Sequence, residues 1–250
     1  MKGFLKPNFS LGALFLTLSP IATACIAEKP VNNRFNFNSE QLARLRKARV
    51  NHWRDGDTLE VSFANNHQKP IRIYAIDTPE KAVLSIQRKS EIELKEANKA
   101  TEFAKSLIPI GSEVWIWPLN SYSYDREVAA VFFKTNPLQL HFESFAVEMV
   151  ANGHALPIAG NDFDFVFSDL DPFNPLKIVG IELANGLNNA FNNRKNIFSY
   201  LENSFQSITM VYQQRGVDQS WTRYLAPSND FSSTKLGLGL TIYELKLNNG

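Results

Sequence analysis

The stretch Asp55-Gly56-Asp57-Thr58-Leu59-Glu60-Val61-Ser62-Phe63, followed after a polar interval by Ile71-Arg72-Ile73-Tyr74-Ala75-Ile76-Asp77-Thr78-Pro79-Glu80, decides how this chain is read. Leu59, Val61 and Phe63 alternate with polar neighbours, as do Ile71, Ile73 and Ala75, and this period of two predicts a pair of half-buried strands. The interval Asn65-Asn66-His67-Gln68-Lys69-Pro70 predicts the turn that joins them into a hairpin. Carboxylates flank this hairpin at Asp57, Asp77 and Glu80, and Arg72 lies within it. Oxygen donors of this kind suit a hard cation, and a guanidinium matches the oxygens of a phosphate.

Further along, Ala97, Ala100, Phe103, Ala104, Leu107 and Ile108 recur at helical spacing, predicting a helix over 90–108 that Pro109 and Gly111 stop. Residues 113–117 and 126–133 are rich in β-branched and aromatic side chains and predict two more strands. Trp115 and Trp117 stand two positions apart on the first of these and so share one face, for which core packing is the favoured account. Between the strands, Tyr124-Asp125-Arg126 adds a second guanidinium. Phe142, Phe145, Ala146, Met149 and Val150 predict a helix over about 139–152 closed by Gly153, and a third helix is expected over about 176–194. A short helix is expected around Glu40 to Lys47, and the alternation of Leu236, Leu238, Leu240 and Ile242 predicts a C-terminal strand. Asp162, Asp164, Asp169 and Asp171 interleave with Phe163, Phe165, Val166 and Phe167, which reads as a surface loop with its aromatic side chains tucked inward.

Composition bounds the answer. The 250 residues, 44% hydrophobic and 20% charged, suffice for one domain with a sizeable core plus extensions. Lys2 and Lys6, the apolar run Leu11 to Leu18 and the small residues Ala22-Thr23-Ala24 have the order of an export signal. Cys25, the one cysteine, follows at once, where it resembles the lipid-modified cysteine of bacterial lipoproteins, although Ala22 replaces the usual large residue. Lipidation at Cys25 and simple cleavage after Ala24 both remain open. Loss of residues 1–24 removes two of the 26 basic residues and none of the 25 acidic ones, leaving a formal charge of −1. A polyanion must therefore be held by a local site rather than by a broad basic field.

An order of strand, turn, strand, helix, strand, strand, helix, helix, with acidic motifs at strand ends, suits a small closed barrel flanked by helices. The segments Asp55 to Thr58, Arg72 to Glu80, Tyr124 to Arg126 and Asn196-Ile197-Phe198-Ser199 resemble those of the staphylococcal nuclease (thermonuclease-like) family. Singly, each is a common turn, helix start or surface cation; together and in this order they carry the resemblance. It spans about residues 46–200 and implies a mixed α+β fold, mainly β in its core: a five-stranded OB-fold barrel flanked by three helices, preceded by a signal peptide (1–24) and a spacer (25–45). Residues 201–250 would be a C-terminal extension.

The resemblance further implies that Asp57 and Asp77 bind Ca²⁺ through carboxylates and Thr78 through its carbonyl. Glu80 would stand beside the attacking water, as general base or as its orienting acceptor. Arg72 and Arg126 would bracket the scissile phosphate, with Tyr124 contacting the substrate. The implied reaction is calcium-dependent hydrolysis of DNA or RNA with the 5′ oxygen leaving, giving 3′-phosphate products. Two departures stand out: Ser123 replaces the family's lysine, and its tyrosine pair after Gly153 falls near Ala159 and Asn161. These departures and the near-neutral charge keep a second reading open, an envelope-attached binding module on the same barrel, with an unidentified partner for residues 201–250. In either case the expectation is an exported monomer that is periplasmic, secreted or anchored through Cys25.

Overall fold

The computed structural model describes residues 30–64, 66–81, 90–167 and 173–248. The expected export signal, Cys25, Asp169 and Asp171 lie outside the described residues. The chain enters through the short helix α1 (Ser39–Leu42), whose Asn38 cap accepts from the Gln41 backbone while the Gln41 side chain accepts from the Asn38 backbone. Strand β1 (Arg46–Asp55) pairs antiparallel with β2 (Thr58–Phe63), and β2 with β3 (Gln68–Ile73). The two-residue strand β4 (Ile76–Asp77) and the helix α2 (Glu91–Leu107) follow. Then β5 (Glu113–Ser123) and β6 (Arg126–Phe133) form a second hairpin. β1 pairs with β5 and β3 lies parallel to β6, so five strands close in the order β1-β2-β3-β6-β5. This is the expected OB-like barrel in a mixed α+β chain, and closure leaves its central ladder without an open edge.

After the barrel come β7 (Glu143–Ser144), α3 (Phe145–Ala151), β8 (Leu156–Pro157), the short α4 (Phe163–Phe167) and α5 (Pro175–Asn192). β8 pairs with β4. α5 begins at Asn174, which caps Leu176, with Pro175 in the first turn, where a missing N–H costs nothing. α3 and α5 touch so closely that a Cβ at Gly186 would stand 3.1 Å from that of Ala151. The remaining segment holds α6 (Ser204–Val211), a 3₁₀ stretch over Gln219–Tyr224 and α7 (Ile242–Asn248). One continuous apolar cluster runs from Trp53, Leu59, Ile71 and Phe132 in the barrel, through Phe145 and Leu187, to Trp221 and Tyr224 beyond residue 200. Trp53 shows how it is tied together: its ring stacks on Phe145 at 4.9 Å and its indole N–H donates to the Ile108 carbonyl at the end of α2. No helix among the described residues is long and apolar enough to cross a membrane.

Several sequence expectations need correction. The helix around 40–47 is only α1, and Arg46 already belongs to β1. β1 itself escapes an alternation test because bulges at Val50/His52 and Trp53/Asp55 move its buried face from Ala48 and Val50 to Trp53. The helix over 139–152 shrinks to α3, since Phe142 bridges to Phe35 and Ser144 pairs with Phe132, which holds that backbone extended. The C-terminal strand is absent. Gly237 and Gly239 have φ of 71° and 103°, which no extended strand permits, and Leu236, Leu238 and Leu240 are exposed. The segment after Asn161 is the short helix α4 rather than a loop; it buries Phe163, Val166 and Phe167 as expected but leaves Phe165 exposed.

Candidate metal and phosphate site

The Asp55-Gly56-Asp57-Thr58 turn joins β1 to β2 at one end of the barrel. Gly56 is required there by space: a Cβ would stand 2.9 Å from the Ala100 Cβ on α2 and 3.0 Å from Thr78 Cγ2. α2 therefore presses on the turn and drives the Asp57 carboxylate inward, where it is fully buried. A buried carboxylate must be paired. Asp57 Oδ1 accepts from Thr58 Oγ1 at 3.1 Å, Oδ2 accepts from the Thr78 amide at 3.1 Å, and Arg72 Nη1 forms an ion pair with it.

Arg72 comes from β3, next to Thr58 on β2, and Val128 of β6 lies on its other side. After β3 the chain reverses at Ala75, whose φ of 65° is left-handed, a conformation that costs an alanine roughly 1 kcal/mol or more. That reversal returns Asp77 over Arg72: Arg72 Nη2 donates to Asp77 Oδ1 at 3.2 Å and to the Ile76 carbonyl at 3.3 Å. Asp77 is held in place by the pairing of β4 with β8. Carboxylate oxygens of Asp57, Asp77 and Glu80 all lie within 4.8 Å of one another. Burial, then the nearby charges of Asp55 and Asp77, push the Glu80 carboxyl above the usual carboxylate range, against the opposing pull of Arg215 and Arg72.

Arg126 opens β6 at the same end of the barrel. Its Nη1 donates to Thr58 Oγ1 at 3.1 Å, and two hydrogen bonds in series thus join it to Asp57. Its Nη2 donates to Ser123 Oγ at 3.1 Å and its Nε to the Ser123 carbonyl at 3.3 Å. The serine that replaces the expected lysine therefore orients this guanidinium. Tyr124 sits at the hairpin tip with φ of 59° and 94% exposure, its ring 5.8 Å from the Arg126 guanidinium. All seven residues singled out from sequence thus converge on one barrel end, with Tyr124 at its rim.

Three further residues belong to the site and were not foreseen. Arg215, beyond α6, donates through Nη2 to Asp77 Oδ2 at 2.7 Å and to the Thr78 carbonyl at 3.0 Å, and through Nε to Glu93 Oε1 at 2.7 Å. Glu93 on α2 is buried and also accepts from the Glu80 amide at 3.3 Å. Tyr212 is buried beneath the Arg215 guanidinium, 4.6 Å from ring centre to cation, and its hydroxyl has no hydrogen-bond partner among the described residues. A signal existed for Glu93, since it and Glu96 extend the stripe of Ala97, Ala100 and Ala104 toward the start of α2, and carboxylates on a buried stripe demand partners. Arg215 carries no local signal, because its partners lie more than 120 residues earlier.

No protein-family model matches this chain. The chain is similar to a Mycoplasma pneumoniae (strain ATCC 29342 / M129 / Subtype 1) protein named "Uncharacterized lipoprotein MG186 homolog", with 39% identity over 288 aligned positions that cover 98% of this chain and 96% of the relative. Identity at that level across nearly the whole of both chains means that this protein belongs to the family of that mycoplasma lipoprotein.

Proposed function

We propose that this protein is an exported, calcium-dependent nuclease that hydrolyses phosphodiester bonds of DNA, RNA or both. The observation that carries this reading is the gathering of Asp57, Asp77 and Glu80 oxygens within 4.8 Å, with Arg72 directly on two of them and Arg126 one threonine away. The donor set fits calcium: Asp57 and Asp77 carboxylates and the Thr78 carbonyl are all hard oxygens, and the Thr78 hydroxyl is a buried oxygen with no hydrogen-bond partner among the described residues. When bound, calcium supplies positive charge against the negative charge that builds on the phosphate oxygens.

The chain's own residues supply the rest. Arg72 and Arg126 present planar forks to those oxygens, which lysine does not reproduce. Both are oriented before substrate arrives, Arg126 by Ser123 and Thr58 and Arg72 by Asp57, Asp77 and the Ile76 carbonyl. Water attacks phosphorus with Glu80, its affinity for a proton raised by burial, as the acceptor beside it; the bond to the 5′ oxygen breaks, and that oxygen leaves as a 5′ hydroxyl by taking a proton from solvent. Tyr124 offers an exposed aromatic face to a base at the rim. Anchoring through Cys25, which directly follows Ala22-Thr23-Ala24, agrees with the lipoprotein name of the mycoplasma relative.

The test is digestion of single-stranded DNA, duplex DNA and RNA by the full chain in detergent, with calcium and with chelator. Calcium-dependent cutting that leaves 3′-phosphate ends supports the reading. Folded protein that cuts nothing in calcium rejects it and leaves the binding module.

A further inference from the structure

The candidate site already holds a cation of its own, and it comes from outside the barrel. Arg215 follows α6, and the turn that carries it ends at Gly216 with φ of 74°. Its three hydrogen bonds, to Asp77 Oδ2, the Thr78 carbonyl and Glu93 Oε1, span 2.7 to 3.0 Å. Its guanidinium lies against Tyr212, a ring that is fully buried and fixed at the end of α6. Two of its three acceptors are the oxygens that the nuclease reading gives to calcium. Those oxygens cannot give full strength to a divalent ion and to a guanidinium together, and the two positive charges repel one another at this range. The third acceptor, Glu93, is not among those donors, so Arg215 keeps a partner when it leaves the other two.

We propose that Arg215 is a tethered competitor of the divalent cation, through which residues 204–224 set the calcium concentration at which the site fills. This rests on the nuclease reading for the identity of the ion's donors. Without calcium, Arg215 neutralises Asp77 and Glu93 and stabilises the folded chain. With calcium it gives up Asp77 and Thr78 and retreats to Glu93. Two opposite effects of its removal follow: a less stable calcium-free protein and a tighter calcium complex.

The experiment is calorimetric calcium titration of the full chain in detergent, with melting curves in chelator and in calcium. It compares wild type, Arg215→Gln and Arg215→Lys. Arg215→Gln is expected to bind calcium about tenfold more tightly, to melt lower in chelator and to gain more from calcium than wild type does. Arg215→Lys keeps the charge but cannot hold three acceptors in one plane, and is expected to bind about threefold more tightly. It carries the test if the glutamine variant does not fold. Wild-type affinity or weaker in both folded variants would overturn the proposal and leave the nuclease reading standing. No calcium binding by wild type or variants would remove both.

Discussion

The end of the barrel and the segment beyond residue 200 meet at one cluster of charges, yet they inform in opposite ways. On the barrel side the chemistry is written locally, as carboxylates and arginines within a few residues of strand ends, and the fold only has to gather them. On the C-terminal side the sequence around Gln213-Gln214-Arg215-Gly216 resembles any polar turn, and Arg215 acquires meaning only from where α6 places it. The difference teaches that a cluster can be legible in its motif and still hide, in sequence, an arginine that pairs with its carboxylates. If the two sides are as unlike as this, their variants should separate.

Arg72→Ala is expected to do the most damage. It leaves the buried Asp57 carboxylate without its cation, at a cost of roughly 3–5 kcal/mol. On the proposed nuclease reading it also removes a phosphate ligand and is expected to lower cutting by about 10² to 10³-fold. Urea denaturation and single-turnover cleavage read the two effects separately, and a folded, fully active Arg72→Ala would break the barrel-end account.

The next effect lies where α2 packs against the chain around His154 and Asn196. His154 stacks on Phe103 of α2 at 4.5 Å and faces Asn196, and burial, partly offset by Glu96, lowers its pKa to about 4. The unfolded chain takes up this proton near the ordinary value of about 6.5 and the folded chain resists it, so stability is intact above that value and falls as pH drops toward 4. The loss is at most about 3 kcal/mol across that window. Urea denaturation at several pH values should show it in wild type and show much less of it in His154→Gln.

Gly56→Ala tests how tightly α2 holds the barrel end. The added methyl meets Ala100 and Thr78, with an expected cost of about 1–3 kcal/mol and an accompanying loss of calcium affinity, because Asp57 moves with the turn. An unchanged melting temperature would show that the turn yields freely. The smallest stability effect belongs to Tyr124→Ala. Its exposure predicts a change within about 0.5 kcal/mol. Its affinity for single-stranded DNA should nevertheless fall by roughly 10-fold, as for the loss of one stacking platform.

Much of the barrel was legible because β2, β3 and β6 keep their alternation or their β-branched composition, and α2 keeps its stripe. β1 was not, because its bulges break the period of two that a reader looks for. The false C-terminal strand has the reverse cause, a period of two produced by glycines that turn the chain. In the site, Asp57, Arg72, Asp77, Glu80 and Arg126 are fixed by local pattern together with strand register. The role of Ser123 required the geometry of Arg126, and that of Arg215 required contacts across 138 residues.

The most direct test of the central claim is single-turnover hydrolysis of single-stranded DNA in calcium by wild type and by Glu80→Gln, with the melting temperature measured alongside. The account predicts calcium-dependent cutting by wild type and a fall of about 100-fold or more in the variant, with folding preserved. Equal cutting by the two proteins, or cutting that persists in chelator, would contradict it.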